Sequence, residues 1–288
     1  FAAGPSKPKG ALSFPDGFKW CLATAAHQIE GNNHNSDWWD FEKTSGRIKD
    51  GSHSGMATDH WNRVDEDVGL IKNLSANTYR MSVEWAKIEP IQGQWDHAAM
   101  EHYVNEIAQL RRAGIEPIIT LHHFTFPNWV RKKGGWEWDG VQKAFVRFTR
   151  FVYESLGHDV ELWVTINEPM VHLLVGYTIG LAPPGEQRPI PKLMKPLVGL
   201  LKGHAAAYKE LHSLAKQARR KVRVGIAHHQ RVFEPYHWYN PMDVSVTKSI
   251  EDVWNQSVMR AIETGRLNIS IPFVVDFNRN MSEIRGTQ

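Results

Sequence analysis

Asn167 and Glu168 put an amide and a carboxyl side by side where an apolar run stops. That run, Leu162 to Ile166, is rich in β-branched residues and favours a pleated strand, and Pro169 just beyond it cannot donate to a ladder. A carboxyl at such a junction can face a cleft while the strand behind it stays rigid, which suits proton transfer. The alternative is a strand followed by a solvated turn. Other polar groups follow apolar runs in the same way: Gln28, Glu84, and the pair His122 and His123. Neither His122 with His123 nor His228 with His229 suggests a metal, because neighbours on a strand point to opposite faces. No metal and no cofactor are expected.

These residues need a scaffold that brings strand ends together. Apolar runs at Trp20 to Thr24, Ala76 to Met81, Ile115 to Leu121, Leu162 to Ile166 and Val222 to Ala227 read as five strands. Between them lie stretches with helical spacing: Trp61, Val64, Val68 and Ile71; Met100, Tyr103, Val104, Ile107 and Leu110; Val141, Phe145, Phe148 and Val152; Leu197, Leu201, His204, Tyr208 and Leu211. Gly114 and Gly157 stand where helices would end, and Ile250, Trp254 and Val258 predict one more helix. Strands alternating with helices imply a parallel sheet joined by right-handed crossovers. The stretch after the first strand, LATAAHQIEG, lacks the glycine-rich phosphate turn of a doubly wound sheet. A (β/α)8 TIM barrel fits better, since every residue singled out lies at the C-terminal end of a strand, where barrel active sites form.

Composition narrows the function. The 288 residues are 42% apolar and 23% charged, enough for a large core, and the net charge of +3 comes from scattered basic residues, so nucleic acid is not an expected partner. A single cysteine, Cys21, excludes an internal disulfide and fits a reducing compartment. No apolar run approaches a membrane span, and the opening FAAGPSKPKG has no signal-peptide core, so a soluble, cytoplasmic protein is expected, with residues 1–12 as a loose arm.

Four segments, FPDGFKWCLATAAHQIEG, TYRMSVEWAKIEP, TLHHFTFPNW and LWVTINEP, resemble in order and spacing the retaining β-glycosidases of glycoside hydrolase family 1. The resemblance runs from about Phe14 to near the end of the chain and implies hydrolysis of a β-linked glycoside. It makes Glu168 the general acid/base and Arg80 the cation near the nucleophile, with Gln28, His123 and Asn167 as sugar ligands. The residue types suit a sugar: amides and imidazole read the hydroxyls of its rim, and tryptophans such as Trp38, Trp39, Trp129, Trp136 and Trp138 can stack on its apolar face or fill the core. Glu84 is given no chemical role and is expected to be structural.

The chain also departs from the family pattern. Cys21 replaces the usual glycine, and Phe124 with Thr125 replaces the commoner Trp and Asp. Residues 1–288 read as one incomplete barrel domain with about five strand-helix units, the next strand beginning just past the terminus. The nucleophilic glutamate then falls outside the chain. A second polypeptide is expected to supply the remaining strands, the isolated chain being inactive; the alternatives are a carbohydrate-binding pseudoenzyme or a structural fragment that pairs with a homologue.

Overall fold

The computed structural model describes residues 13–288, so the expected N-terminal arm, residues 1–12, lies outside the described residues. Strands β1 (Cys21–Ala23), β2 (Thr78–Ser82), β3 (Glu116–His122), β4 (Leu162–Asn167) and β5 (Arg223–Ala227) form one sheet in sequence order, every pair parallel. All five C-terminal ends therefore lie on one side of the sheet. Short helices α1 (Ala26–Ile29) and α2 (Asp37–Glu42) follow β1, and α3 (Val64–Asn73) leads back to β2. After β2 come α4 (Trp85–Ile88) and α5 (His97–Arg112); after β3, α6 (Asn128–Arg131) and α7 (Val141–Leu156); after β4, α8 (Pro169–His172) and α9 (Met194–Gln217). This is the expected partial barrel.

The covering helices show why the middle strands are firmly held. Helix α7 turns Val141, Phe145, Phe148, Val152 and Leu156 inward, and each is at most 1% exposed. Burying each such side chain is worth about 1.5 to 3 kcal/mol. Trp85 stacks on Phe148 with ring centroids 4.8 Å apart, joining the end of β2 to α7. Helix α9 comes closer still: a Cβ at Gly199 would lie 1.9 Å from the Trp136 carbonyl oxygen, so only glycine permits this approach. Behind β2, the buried His60 bridges Asp67 of α3 (2.6 Å) and Glu106 of α5 (2.9 Å). Burial pushes the imidazole pKa down, but the two carboxylates outweigh it and raise it to about 9.

Two regions differ from the sequence expectation. Trp61 belongs to a separate tight turn, His60–Asn62, and α3 starts at Val64. The single helix expected around Ile250, Trp254 and Val258 is α10 (Pro241–Glu251) and α11 (Ser257–Thr264) joined through a π-helical turn, Asp252–Gln256. Beyond it, β6 (Arg266–Ile271) and β7 (Val275–Asn280) form an antiparallel hairpin outside the main sheet, which the sequence analysis did not anticipate. Gly265, in the left-handed region at φ +73°, ends α11 and lets the chain turn into β6.

Candidate active site

Glu168 sits one residue past β4 with φ +41° and ψ +67°, a left-handed conformation unusual for a side chain with a Cβ. Three neighbouring features hold it there. Its N–H donates to the Ala227 carbonyl of β5 at 2.8 Å, Pro169 begins α8 immediately after it, and its own carbonyl accepts from His172 at 3.0 Å. Pairing with β5 is irregular just before this point: Val164 faces Gly225 and Asn167 faces Ala227, so three steps on β4 match two on β5. Such a bulge re-aims the side chains that follow it. Strain at this position is therefore paired with the carboxyl singled out from sequence.

Arg80, in the middle of β2, reaches across the adjacent strand β3 to the end of β4. Its Nε donates to Thr120 Oγ1 of β3 at 3.0 Å and its Nη2 donates to Asn167 Oδ1 of β4. Burial lowers its pKa from the ordinary value, and the charge of Glu168 opposes that shift. Arginine nonetheless stays cationic, so a fixed positive charge lies in front of the β4 end. A carboxylate brought near it is held in the ionised form. Thr120 as the clamp on this arginine was missed by sequence reasoning; its position two residues before His122 on a central strand was the available signal.

The two histidines at the end of β3 diverge, as neighbours on a strand should. His122 is buried against Phe126 and His172, and its Nε2 accepts from Trp136 Nε1 at 3.2 Å. It belongs to the core. His123 turns the other way, toward the field of Arg80. Burial, then that guanidinium, lowers its pKa to about 4, so the ring is neutral at pH 7. Its Nδ1 is buried and has no hydrogen-bond partner among the described residues.

Gln28 lies on α1, just past β1, with its side chain exposed and no hydrogen bond to the other site residues. It shares their end of the sheet without touching them. Arg80, Asn167 and Glu168 are brought together, and His123 joins them through the arginine. Trp136 and Trp39 prove to be core, at 1% and 8% exposed, whereas Trp38, Trp129 and Trp138 are only partly buried.

Glu84 is structural in this arrangement. It is fully buried, caps α4 by accepting from the Ala86 N–H, and accepts from Thr125 Oγ1 at 3.0 Å. Burial raises its pKa to about 7. Asp37, which sequence reasoning missed, does the same from α2: its carboxyl accepts from the Phe126 N–H at 2.9 Å, and burial pushes its pKa up to about 8. Together they pin the turn after His123, including Phe124 at φ +72°. Among the described residues no three His, Cys, Asp or Glu side chains are grouped to hold a metal, and no helix is long and apolar enough to cross a membrane.

The profile of the glycosyl hydrolase family 1 matches residues 11–276. The chain belongs to that family. Beta-glucosidase A of Thermotoga maritima is 34% identical over 228 residues, covering 77% of this chain and 50% of the relative. Beta-glucosidase 47 of Arabidopsis thaliana is 31% identical over 240 residues, covering 77% of this chain and 45% of the relative. Among solved structures, a beta-glycosidase from Pyrococcus horikoshii superposes with a TM-score of 0.82 at 33% identity, covering 94% of this chain and 60% of that one. The beta-glucosidase from Thermotoga maritima in complex with noeuromycin also gives 0.82, at 31% identity, with 88% and 57% covered. The chain thus spans about half the length of the curated family 1 relatives it matches. Its five-stranded sheet is part of the TIM barrel of those family 1 structures.

Proposed function

We propose that this chain forms the acid/base half of a β-glucosidase-like enzyme that hydrolyses β-glycosidic bonds with retention of configuration. The observation that carries the reading is the backbone of Glu168, held left-handed at a bulged strand end beside the Arg80–Asn167 pair. In this mechanism Glu168 protonates the departing glycosidic oxygen while a second carboxylate attacks the anomeric carbon, about 5 to 5.5 Å from the first. Glu168 then takes a proton from the water that releases the sugar. Asn167, His123 and Gln28 hold hydroxyls, and Arg80 keeps the second carboxylate ionised. That nucleophile and the remaining strands come from a segment outside these residues, most simply a second polypeptide or a continuation of this one. The lone cysteine supports a reducing, cytoplasmic setting.

A pseudoenzyme that only binds carbohydrate would use Gln28, His123 and Asn167 but has no need for strain at residue 168. The deciding experiment compares the 288-residue chain with the same chain completed by the missing strands, using an aryl β-glucoside. Turnover is expected from the completed protein alone. Hydrolysis by the isolated chain overturns the half-site reading, and a correctly folded completed barrel with no turnover favours the pseudoenzyme.

A further inference from the structure

A cavity of about 280 Å³ lies behind α8, between α9 and the α10–β6 region. No residue of the sugar site lines it; its nearest link is Met170, two positions past Glu168. Its wall is nearly all apolar, with Leu173, Leu197, Val253 and Ile269 each at most 8% exposed. Two exceptions break the pattern. Thr178 Oγ1 is buried at the wall with no hydrogen-bond partner among the described residues. Arg231 is the single charged residue on the lining, and no acidic side chain joins it there.

The backbone of Arg231 is held in place, while its side chain is exposed. Its N–H donates to Asn255 Oδ1 at 3.0 Å and its carbonyl accepts from Asn255 Nδ2 at 2.7 Å, while its guanidinium lies 5.5 Å from the Trp254 ring. The wall includes both π-helical stretches of the chain's described residues, Leu173–Ile179 and Asp252–Gln256. A π-helical turn replaces the usual i→i+4 hydrogen bonds with i→i+5 bonds and is frequent at functional sites. An apolar chamber with a cation at the mouth is complementary to an amphipathic anion. Its volume falls just under the roughly 300 Å³ at which pockets for drug-sized ligands begin, which limits the occupant to a small one.

We propose that this cavity binds a medium-chain aliphatic carboxylate, its tail among Leu173, Leu197 and Ile269 and its carboxylate on Arg231. Such a ligand would rest against the back of the helix whose N-cap is Glu168. The site is independent of the glycosidase reading, because none of its residues takes part in that chemistry.

Titration calorimetry with octanoate, on the chain completed by the missing strands and shown to be folded by circular dichroism, tests it. Saturable one-to-one binding is expected, with hexanoate roughly tenfold weaker for the two methylenes lost from the apolar chamber. 1-Octanol, which has the tail without the charge, should bind at least about tenfold more weakly. Arg231→Leu should erase the preference for the acid over the alcohol. Ile250→Trp, which puts a larger ring at a half-buried lining position, should block octanoate while leaving the circular dichroism spectrum unchanged. Absence of binding at millimolar octanoate overturns the proposal. So does equal affinity for octanol, or full octanoate binding by Ile250→Trp.

Discussion

Strands β3 and β4 and strand β5 belong to one sheet yet present very different surroundings. β3 and β4 are closed in by α5, α7 and α9, and their inward residues Ile119, Trp163 and Ile166 are at most 2% exposed. In β5 only Val224 is buried, and the loop that follows carries Val232, Tyr236 and Trp238 at 90%, 89% and 81% exposed. The candidate site is built on the first region and stops at the second: Arg80 ties β2 to β3 and β4, while β5 contributes one carbonyl, Ala227, to hold Glu168. Precision in this molecule comes from strands packed on both faces. The β5 side has the exposed aromatic surface and free strand edge of a face that meets another one, which supports a completing segment there.

The largest expected effect lies at the site itself. In the completed enzyme, Glu168→Gln should slow turnover of glycosides with poor leaving groups by about 10² to 10⁴, the usual contribution of a general acid. Activated aryl glycosides should lose less in the first chemical step, because they need little protonation. Equal losses for both, in steady-state kinetics, remove the acid role. Arg80→Met should lower activity by about a hundredfold while chemical denaturation changes by no more than about 3 kcal/mol, the range for one charged hydrogen-bonding group. A variant that does not fold makes the arginine structural.

Stability should divide along the same line. Phe145→Ala, in the closed region, should cost about 3 to 5 kcal/mol of unfolding free energy. His60 gives a pH-dependent version of this contrast. Its folded pKa near 9 lies above its ordinary 6.5, so its bridge contributes in full below pH 6.5 and is lost as pH rises toward 9. The loss is on the order of 3 kcal/mol as an upper bound. Urea melts of the wild type and His60→Gln from pH 6 to 9.5 measure it, and parallel pH profiles refute it. The smallest effect belongs to the exposed side: Trp238→Ser should change stability within about 0.5 kcal/mol. A larger loss there means that the loop is already packed in the isolated chain.

The sequence was most readable where periodicity and burial agree. The inward face of α7 and the apolar runs of β2, β3 and β4 follow directly from residue spacing, because those elements bury whole faces. Asn167, Glu168 and His123 drew attention because each ends or follows such a run, whereas Arg80 lies inside β2 and entered only through the resemblance, and Gln28 rides on a four-residue helix. The β6–β7 hairpin escaped although Leu267 and Ile269 alternate with polar residues; the expectation of a further barrel strand drew attention past it. The π-helical turns and the left-handed Glu168 have no marker in composition, being consequences of tertiary packing. Asp37 looks like an ordinary surface carboxyl in the sequence, and only its burial, which raises its pKa, shows its part in pinning the turn after His123.

The left-handed backbone of Glu168 sets stability against the acid/base role proposed for it at a single codon. Glutamate in that conformation costs about 1 kcal/mol that glycine does not incur, and asparagine incurs little of it. A population selected only for resistance to heat would therefore drift at position 168 toward glycine or asparagine, becoming sturdier as it lost the carboxyl.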